Sequence, residues 1–443
     1  MSARALAPRL STSASPGRAE VLLGAGVVCV AAAAAVTAGP MAIALPAALL
    51  IALFFLREPL ALFSLYLVIG LFKNEAVVKA LPVDATLLLG MLLALVCGIR
   101  LVAGRVRAVP YVFALTIAVV ALSLAISLGW TTAHAYGSEK VTNYLTVTML
   151  AIGAPFFLFE SWDDLRRFFN WTVAVAVPVA LLGLAHPSVD TGRLAGDNTI
   201  GTSRLLCIAA LILLLSALGG RARWRLPAAA LAAGFIAIAA AVGSRGPLLS
   251  FALALTVTLA VWLIRVPRHV APVLAIAAVS VAVVPFVSLP KSSSERLSEA
   301  ARDPVATFRS NDRYLTAKQA FQLIDRHPIR GAGVGSFSIV NPTAKWPHNL
   351  FLELWAELGL AALLVVVWAV IWALVGLFRL AWRLPAQSRE QGLVYTLLAV
   401  FVFNLLAVQV SGNINDNRDF WGMLAVVSLV VAGGLGAREA TKG

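Results

Sequence analysis

Long apolar runs alternate with short polar connections along this chain, a pattern that predicts helices crossing a lipid bilayer. A crossing takes roughly 20 apolar residues. On that measure helices are expected near 20–38, 41–56, 59–72, 84–103, 111–130, 142–160, 168–185, 198–218, 226–242, 246–264, 269–289, 349–378, 391–411 and 419–437. The second and third are short and separated only by Arg57, Glu58 and Pro59, so a hairpin that does not fully cross is an alternative there.

One polar interruption, from Leu289 to Glu357, is far longer than the others. Within it Asn311 and Asp312 can cap a helix through Arg313 to about Arg326, with Tyr314, Ala317, Phe321 and Ile324 recurring on one face. His327-Pro328 ends that helix, because proline disfavours helix at the residue before it. GAGVGSF at 331–337 then reads as a flexible, amide-rich turn, and Trp346-Pro347 leads into His348 and Asn349 where the apolar sequence resumes. The expected fold is all-α: a polytopic integral membrane bundle of about 12–14 transmembrane helices with one long extracytoplasmic loop containing amphipathic helices. Residues 1–19 read as a disordered tail, 20–289 as N-terminal helices, 290–347 as the loop, 348–437 as C-terminal helices and 438–443 as a second tail.

Composition sharpens this picture. The 443 residues are 60% hydrophobic and 13% charged, and the mean hydropathy is +0.89. That is more apolar surface than one water-soluble core of this length can hide. A formal charge of +14 would point to nucleic acid in a soluble protein. Here the basic residues cluster on every second connection: Arg57, the stretch 99–107, Arg166 with Arg167, the stretch 221–225, Arg265 with Arg268, and Arg379 with Arg383 and Arg389. The positive-inside rule makes those connections and both termini cytoplasmic, and no nucleic-acid partner is expected. Cys29, Cys97 and Cys207 sit in apolar runs at unrelated spacings, so neither a disulfide framework nor a zinc site is readable.

Arg193, Arg245 and Arg313 fall on exterior connections, where topology gives no reason for them. Each has a plain alternative: pairing with Asp190 or Asp197 for Arg193, snorkelling to the interface for Arg245, and a solvated helix charge for Arg313. His348 is equally a helix cap or an interfacial residue, and Asn349 a local hydrogen-bonding partner. Asp416 and Asp419 in SGNINDNRDF are placed either to orient an arginine or the histidine, or to begin a helix. Glu357 follows His348 at an offset that does not share its helical face. The glycine turn follows no strand and lacks a Lys-Ser or Lys-Thr, so it is neither a dinucleotide fingerprint nor a P-loop. No HExxH and no Asp-x-Asp pair occurs.

The run HPIRGAGVGSF, then His348-Asn349 and Gly359, resembles the O-antigen ligase and polymerase superfamily of membrane glycosyltransferases. GRLAGDNTIGTS around Arg193 and GSRGP around Arg245 sit where that family places functional exterior arginines, and the likeness covers roughly residues 185–420. The resemblance implies a bacterial plasma-membrane enzyme that takes a glycan from a polyprenyl diphosphate, of the undecaprenyl type, and passes it to an acceptor hydroxyl on the extracytoplasmic side. It implies no cofactor and no metal, and as partners the lipid-linked donor, a glycolipid or other glycan acceptor such as lipopolysaccharide core, and membrane lipids. On this reading Arg193, Arg245 and Arg313 hold the diphosphate, because a guanidinium has a permanent charge and a fork that matches phosphate oxygens. His348 accepts the proton of the acceptor hydroxyl, and Asn349, Asp416 and Asp419 support it. In-line displacement inverts the anomeric configuration. A polymerase of the same superfamily and a transporter of lipid-linked glycan are the alternatives.

Overall fold

The computed structural model describes residues 41–72, 78, 83–185, 199–219, 222–265 and 312–435. Those residues are helical with connecting turns, and no strand occurs among them. The chain divides into two compact units, Met1–Glu58 and Pro59–Gly443. Of the first, the helix α1 (Met41–Arg57) is described. The Glu58 amide closes its last turn on the carbonyl of Phe54 at 2.8 Å.

The second unit carries the rest. It opens with α2 (Pro59–Val68), which tightens into a 3-10 turn at Ile69–Phe72. Next comes α3 (Ala85–Val102), capped by Asp84, whose carboxylate accepts the Thr86 amide at 2.7 Å. Then follow α4 (Tyr111–Ser127) and α5 (His134–Asn143), the latter continuing through a π turn at Tyr144–Thr148 as far as Leu158. α6 (Trp162–Ala185), α7 (Thr199–Gly219), α8 (Ala222–Ala241) and α9 (Arg245–Arg265) complete the portion before the long loop. The loop contributes α10 (Asp312–Arg326), and α11 (Leu360–Arg383), α12 (Arg389–Ala407) and α13 (Arg418–Val431) follow.

Eight helical stretches among the described residues are long and apolar enough to cross a membrane, and α4 falls just short in length. The protein is a multi-pass helical membrane protein. The expected spans at 20–38 and 269–289, and the two tails, lie outside the described residues. α7 and α12 are 78% buried over their spans, whereas α3 is only 28% buried. Inner helices are thus enclosed by others, and outer ones keep an apolar face for lipid. On α3 that face is Leu87, Met91, Leu95 and Ile99, each about half exposed at four-residue spacing.

Three sequence expectations are corrected. The span placed at 142–160 starts at His134, so most of the stretch between it and the span near 111–130 is helix. The span placed at 349–378 is broken: a single turn at Leu350–Glu353 passes into a π turn at Leu354–Leu358, Gly359 adopts φ +89°, and α11 begins only at Leu360. The loop helix forms where predicted but buries Thr316, Ala320, Leu323 and Ile324, leaving Phe321 exposed. Its apolar side packs on Phe337 and Ala356, so the face is set by the broken helix beneath it.

Contacts sort the connections into two ends. At one, Arg100 donates to Glu160 at 3.2 Å, Arg107 to the Glu160 carbonyl at 2.6 Å, and Arg389 pairs with Asp163. These are the connections that carry arginine clusters. At the other, Thr131 donates to the Val334 carbonyl at 2.7 Å, and Asn349 donates to Gln409 Oε1 at 3.0 Å.

Candidate functional site

A cleft of about 510 Å³ opens at this second end, between the start of α7, the close of α2, the residues around His348 and the 411–419 turn. The turn is self-supporting. Asn413 Oδ1 accepts the amides of Asn415 at 2.8 Å and Asp416 at 2.9 Å, and Asn417 Nδ2 donates to the Asn413 carbonyl at 2.8 Å. A side-chain amide standing in for backbone partners is what lets so polar a stretch hold one shape between two membrane helices.

Arg204 is the best-anchored charge at the cleft. It sits near the start of α7 and is buried. Nη1 donates to Asn417 Oδ1 at 2.9 Å, and Nη2 donates to the carbonyls of Ala407 at 2.7 Å and Ser411 at 3.1 Å. Asp419 stands 3.8 Å away. Arg418 approaches the same cleft from α13, with its guanidinium 5.6 Å from the centre of the Tyr66 ring. Arg204 Nε and Arg418 Nη1 are buried without a hydrogen-bond partner among the described residues. The two guanidinium groups therefore bring more donor capacity to the cleft than the protein around them uses.

His348 lines this cleft with Trp346. Its backbone takes φ +56°, a left-handed conformation unusual outside glycine, and Asn349 then caps the next turn by accepting the Leu352 amide at 3.0 Å. Asn349 also donates to the Gln409 carbonyl at 3.2 Å, and the Leu350 amide donates to that of Val408 at 3.0 Å. The end of α12 thus fixes the segment that presents the histidine. Trp346 Nε1 donates to His348 Nδ1 at 3.1 Å.

The two carboxylates the sequence could not separate differ in structure. Asp419 is engaged, by Arg204 and by the Phe420 amide at 2.9 Å. Asp416 lines the cleft and enters no ion pair among the described residues. Its surface is open to the cleft, yet protein surrounds it closely. That burial raises its pKa, and the Asn413 backbone, Arg418, Arg204 and Lys140 only partly oppose the rise.

Arg313 does not line the cleft. Its Nη1 lies beside Gly246, next to the exposed Arg245. Surrounding protein and the charge of Arg204 both lower its pKa. Arg245, Arg313 and Arg204 therefore form a cationic margin on one side of the 411–419 turn. Arg193 lies outside the described residues.

The amides of the glycine turn are used internally. Ala332 and Gly333 donate to the carbonyls of Ala356 and Glu357 at 2.8 and 3.0 Å, and Gly335 to Glu357 Oε2 at 2.8 Å. The turn fits because Gly331 and Gly359 have no side chain: a Cβ on Gly359 would lie 2.2 Å from the Ile329 carbonyl oxygen. Glu357 and Glu353 are both buried, and between them sits Lys140 of α5, 2.6 Å from Glu357 Oε2. Lys140 falls between the spans expected near 111–130 and 142–160, where the sequence alone gives it no partner. Two carboxylates around one ammonium leave an excess negative charge, and burial pushes Glu353 up to about 7. Among the described residues no three His, Cys, Asp or Glu side chains converge as a metal site.

Fold and site together define a polytopic membrane protein with a polar, arginine-rich cleft at one end of an apolar bundle. Residues 229–367 match the O-antigen ligase family model. That stretch includes Arg245, Arg313, His348, Asn349 and Gly359, and it supports placing the protein in an O-antigen ligase-like superfamily. Arg204, Asp416, Arg418 and Asp419 lie beyond it. No curated protein matches the chain.

Proposed function

We propose that the protein is a membrane glycosyltransferase that moves a glycan from a polyprenyl diphosphate to an acceptor hydroxyl at the extracytoplasmic face, as a ligase rather than a polymerase. The observation that carries this reading is the convergence of Arg204, Arg418 and His348 on one cleft, with Arg313 and Arg245 at its margin. A leaving diphosphate gathers negative charge as the anomeric bond breaks, and guanidinium groups already fixed in place stabilise that charge at little cost in reorganisation. Arg193 belongs to the same reading. The polyprenyl tail would lie between outer helices, whose apolar faces are already turned to lipid. On this reading the acceptor hydroxyl loses its proton in the cleft that His348 and Asp416 line. The scheme needs no metal, and one displacement inverts the anomeric centre.

The test is transfer by purified protein of a labelled glycan from its polyprenyl diphosphate, with a chelator present and candidate acceptors offered separately. Glycan appearing on a distinct acceptor is expected. Lengthening of the lipid-linked glycan itself would make the protein a polymerase. Absence of any glycan transfer, with labelled lipid instead crossing a liposome bilayer, would make it a transporter.

A further inference from the structure

The bond between Trp346 and His348 decides what the histidine can do. An indole nitrogen only donates, so at 3.1 Å His348 Nδ1 must be the acceptor and carry no proton. In the neutral ring the proton is then on Nε2. Such an imidazole has its one lone pair already engaged by Trp346, and its other ring nitrogen is a donor rather than an acceptor. Protonating Nδ1 would set two N–H groups against each other. The left-handed backbone at His348, the Asn349 cap and the ties to Val408 and Gln409 hold the ring in this pairing.

Among the described residues, the other groups lining the cleft that can take a proton are the carboxylates of Asp416 and Asp419. Asp419 is committed to Arg204 and to its own helix. Asp416 is open to the cleft without an ion pair among the described residues. The charged and titratable groups around it come from three sides: Arg204 on α7, Arg418 beside it, and Tyr136, Lys140 and Glu353 behind it. Asn415 ties that rear cluster to the turn by donating to the Lys140 carbonyl at 2.9 Å.

Resting on the glycan-transfer reading, we propose that Asp416 accepts the proton of the acceptor hydroxyl, and that Trp346 is a positioning residue that holds His348 as a hydrogen-bond donor to the departing diphosphate. The acceptor O–H bond breaks as its oxygen forms the bond to the anomeric carbon. The bond from that carbon to the phosphate oxygen breaks, its electron pair leaves on the diphosphate, and the proton passes to Asp416 and then to solvent. The raised pKa of Asp416 makes it a better proton acceptor than an ordinary aspartate at the pH where it is still ionised.

The experiment is the transfer assay across pH with His348→Gln, His348→Ala, Asp416→Asn, Asp416→Glu and Trp346→Phe, each checked by its melting temperature. Glutamine can donate like Nε2–H but cannot take a proton at neutral pH. His348→Gln should therefore keep at least a tenth of the wild-type rate and the same rise of rate with pH, while His348→Ala loses roughly 10²-fold or more. Asp416→Asn should lose roughly 10²-fold or more at every pH, with Asp416→Glu retaining transfer on a shifted pH profile. Histidine-selective ¹⁵N NMR should show His348 protonated on Nε2, and Trp346→Phe should release that preference. If His348→Gln is as inactive as the alanine variant while Asp416→Asn still transfers, or if Nδ1 carries the proton, the inference fails and the glycan-transfer reading stands. If the wild-type protein transfers nothing to any acceptor, both fail.

Discussion

A guanidinium beside a cleft is informative in proportion to how little of it the protein has used. Arg204 spends Nη1 and Nη2 on Asn417, Ala407 and Ser411, so replacing it would disturb the turn as well as any ligand. Arg418 is the cleaner probe, because it lies over the Tyr66 ring and beside Gly70. Arg418→Ala is expected to lower the rate of transfer from lipid-linked glycan by roughly 10²-fold, the scale of losing one preorganised donor to a developing negative charge. Unchanged transfer would remove Arg418 from the site. His348 was singled out by its place, where a polar loop re-enters apolar sequence, together with the resemblance to the ligase superfamily. Arg204 was not, since the reading treated 198–218 as one more apolar span. The available signal was an ionisable residue inside that span, which is costly there without a purpose. The choice between Asp416 and Asp419 depends on partners from α7, and spacing along the chain carries none of that.

At the scale of elements, the broken helix from Leu350 to Leu358 organises this end of the bundle. A π turn leaves backbone carbonyls turned outward, and those of Ala356 and Glu357 receive the glycine turn. Apolar residues dominate this stretch despite Glu353, Glu357 and Gly359, so the sequence predicted one continuous span; the break at Gly359 is a packing fact, set by the approach of Ile329 and Arg330. The same break delivers Glu353 and Glu357 to Lys140. Glu353 lies ahead of the α11 span, and its pKa stands near 7 against an ordinary 4.5. Between those values the folded protein holds a proton that the unfolded chain has released, so stability falls as pH rises from about 4.5 through about 7. Melting in detergent should show a transition temperature that declines over this window, and Glu353→Gln should flatten the decline. A melting temperature that climbs across the window, or an unchanged slope in Glu353→Gln, would mean that the excess charge is carried elsewhere in the cluster.

For the whole molecule, the two ends differ in chemistry as well as in connection. One joins Arg100, Arg107 and Arg389 to Glu160 and Asp163; the other holds the cleft. The class was legible from composition, and the alternation of basic connections was legible from spacing, because lipid imposes length and charge rules that act on short windows of sequence. Which end faces out is a separate matter, and it decides whether a lipid-linked donor presented outside can reach Arg204 at all. α11 has 24 residues and so spans about 36 Å, enough to put Thr343 and Ala386 on opposite sides of a bilayer. Both positions are exposed. In a background with Cys29, Cys97 and Cys207 replaced, Thr343→Cys should react with a membrane-impermeant maleimide added to spheroplasts, and Ala386→Cys should react only after permeabilisation. The reverse pattern would put the cleft in the cytoplasm, where an externally displayed donor is out of reach and a glycan bound to a cytoplasmic carrier becomes the substrate to seek. Labelling of both from outside would mean that α11 does not cross, and the lipid-facing character of Leu364, Trp368 and Ile371 would then need a partner helix to explain it.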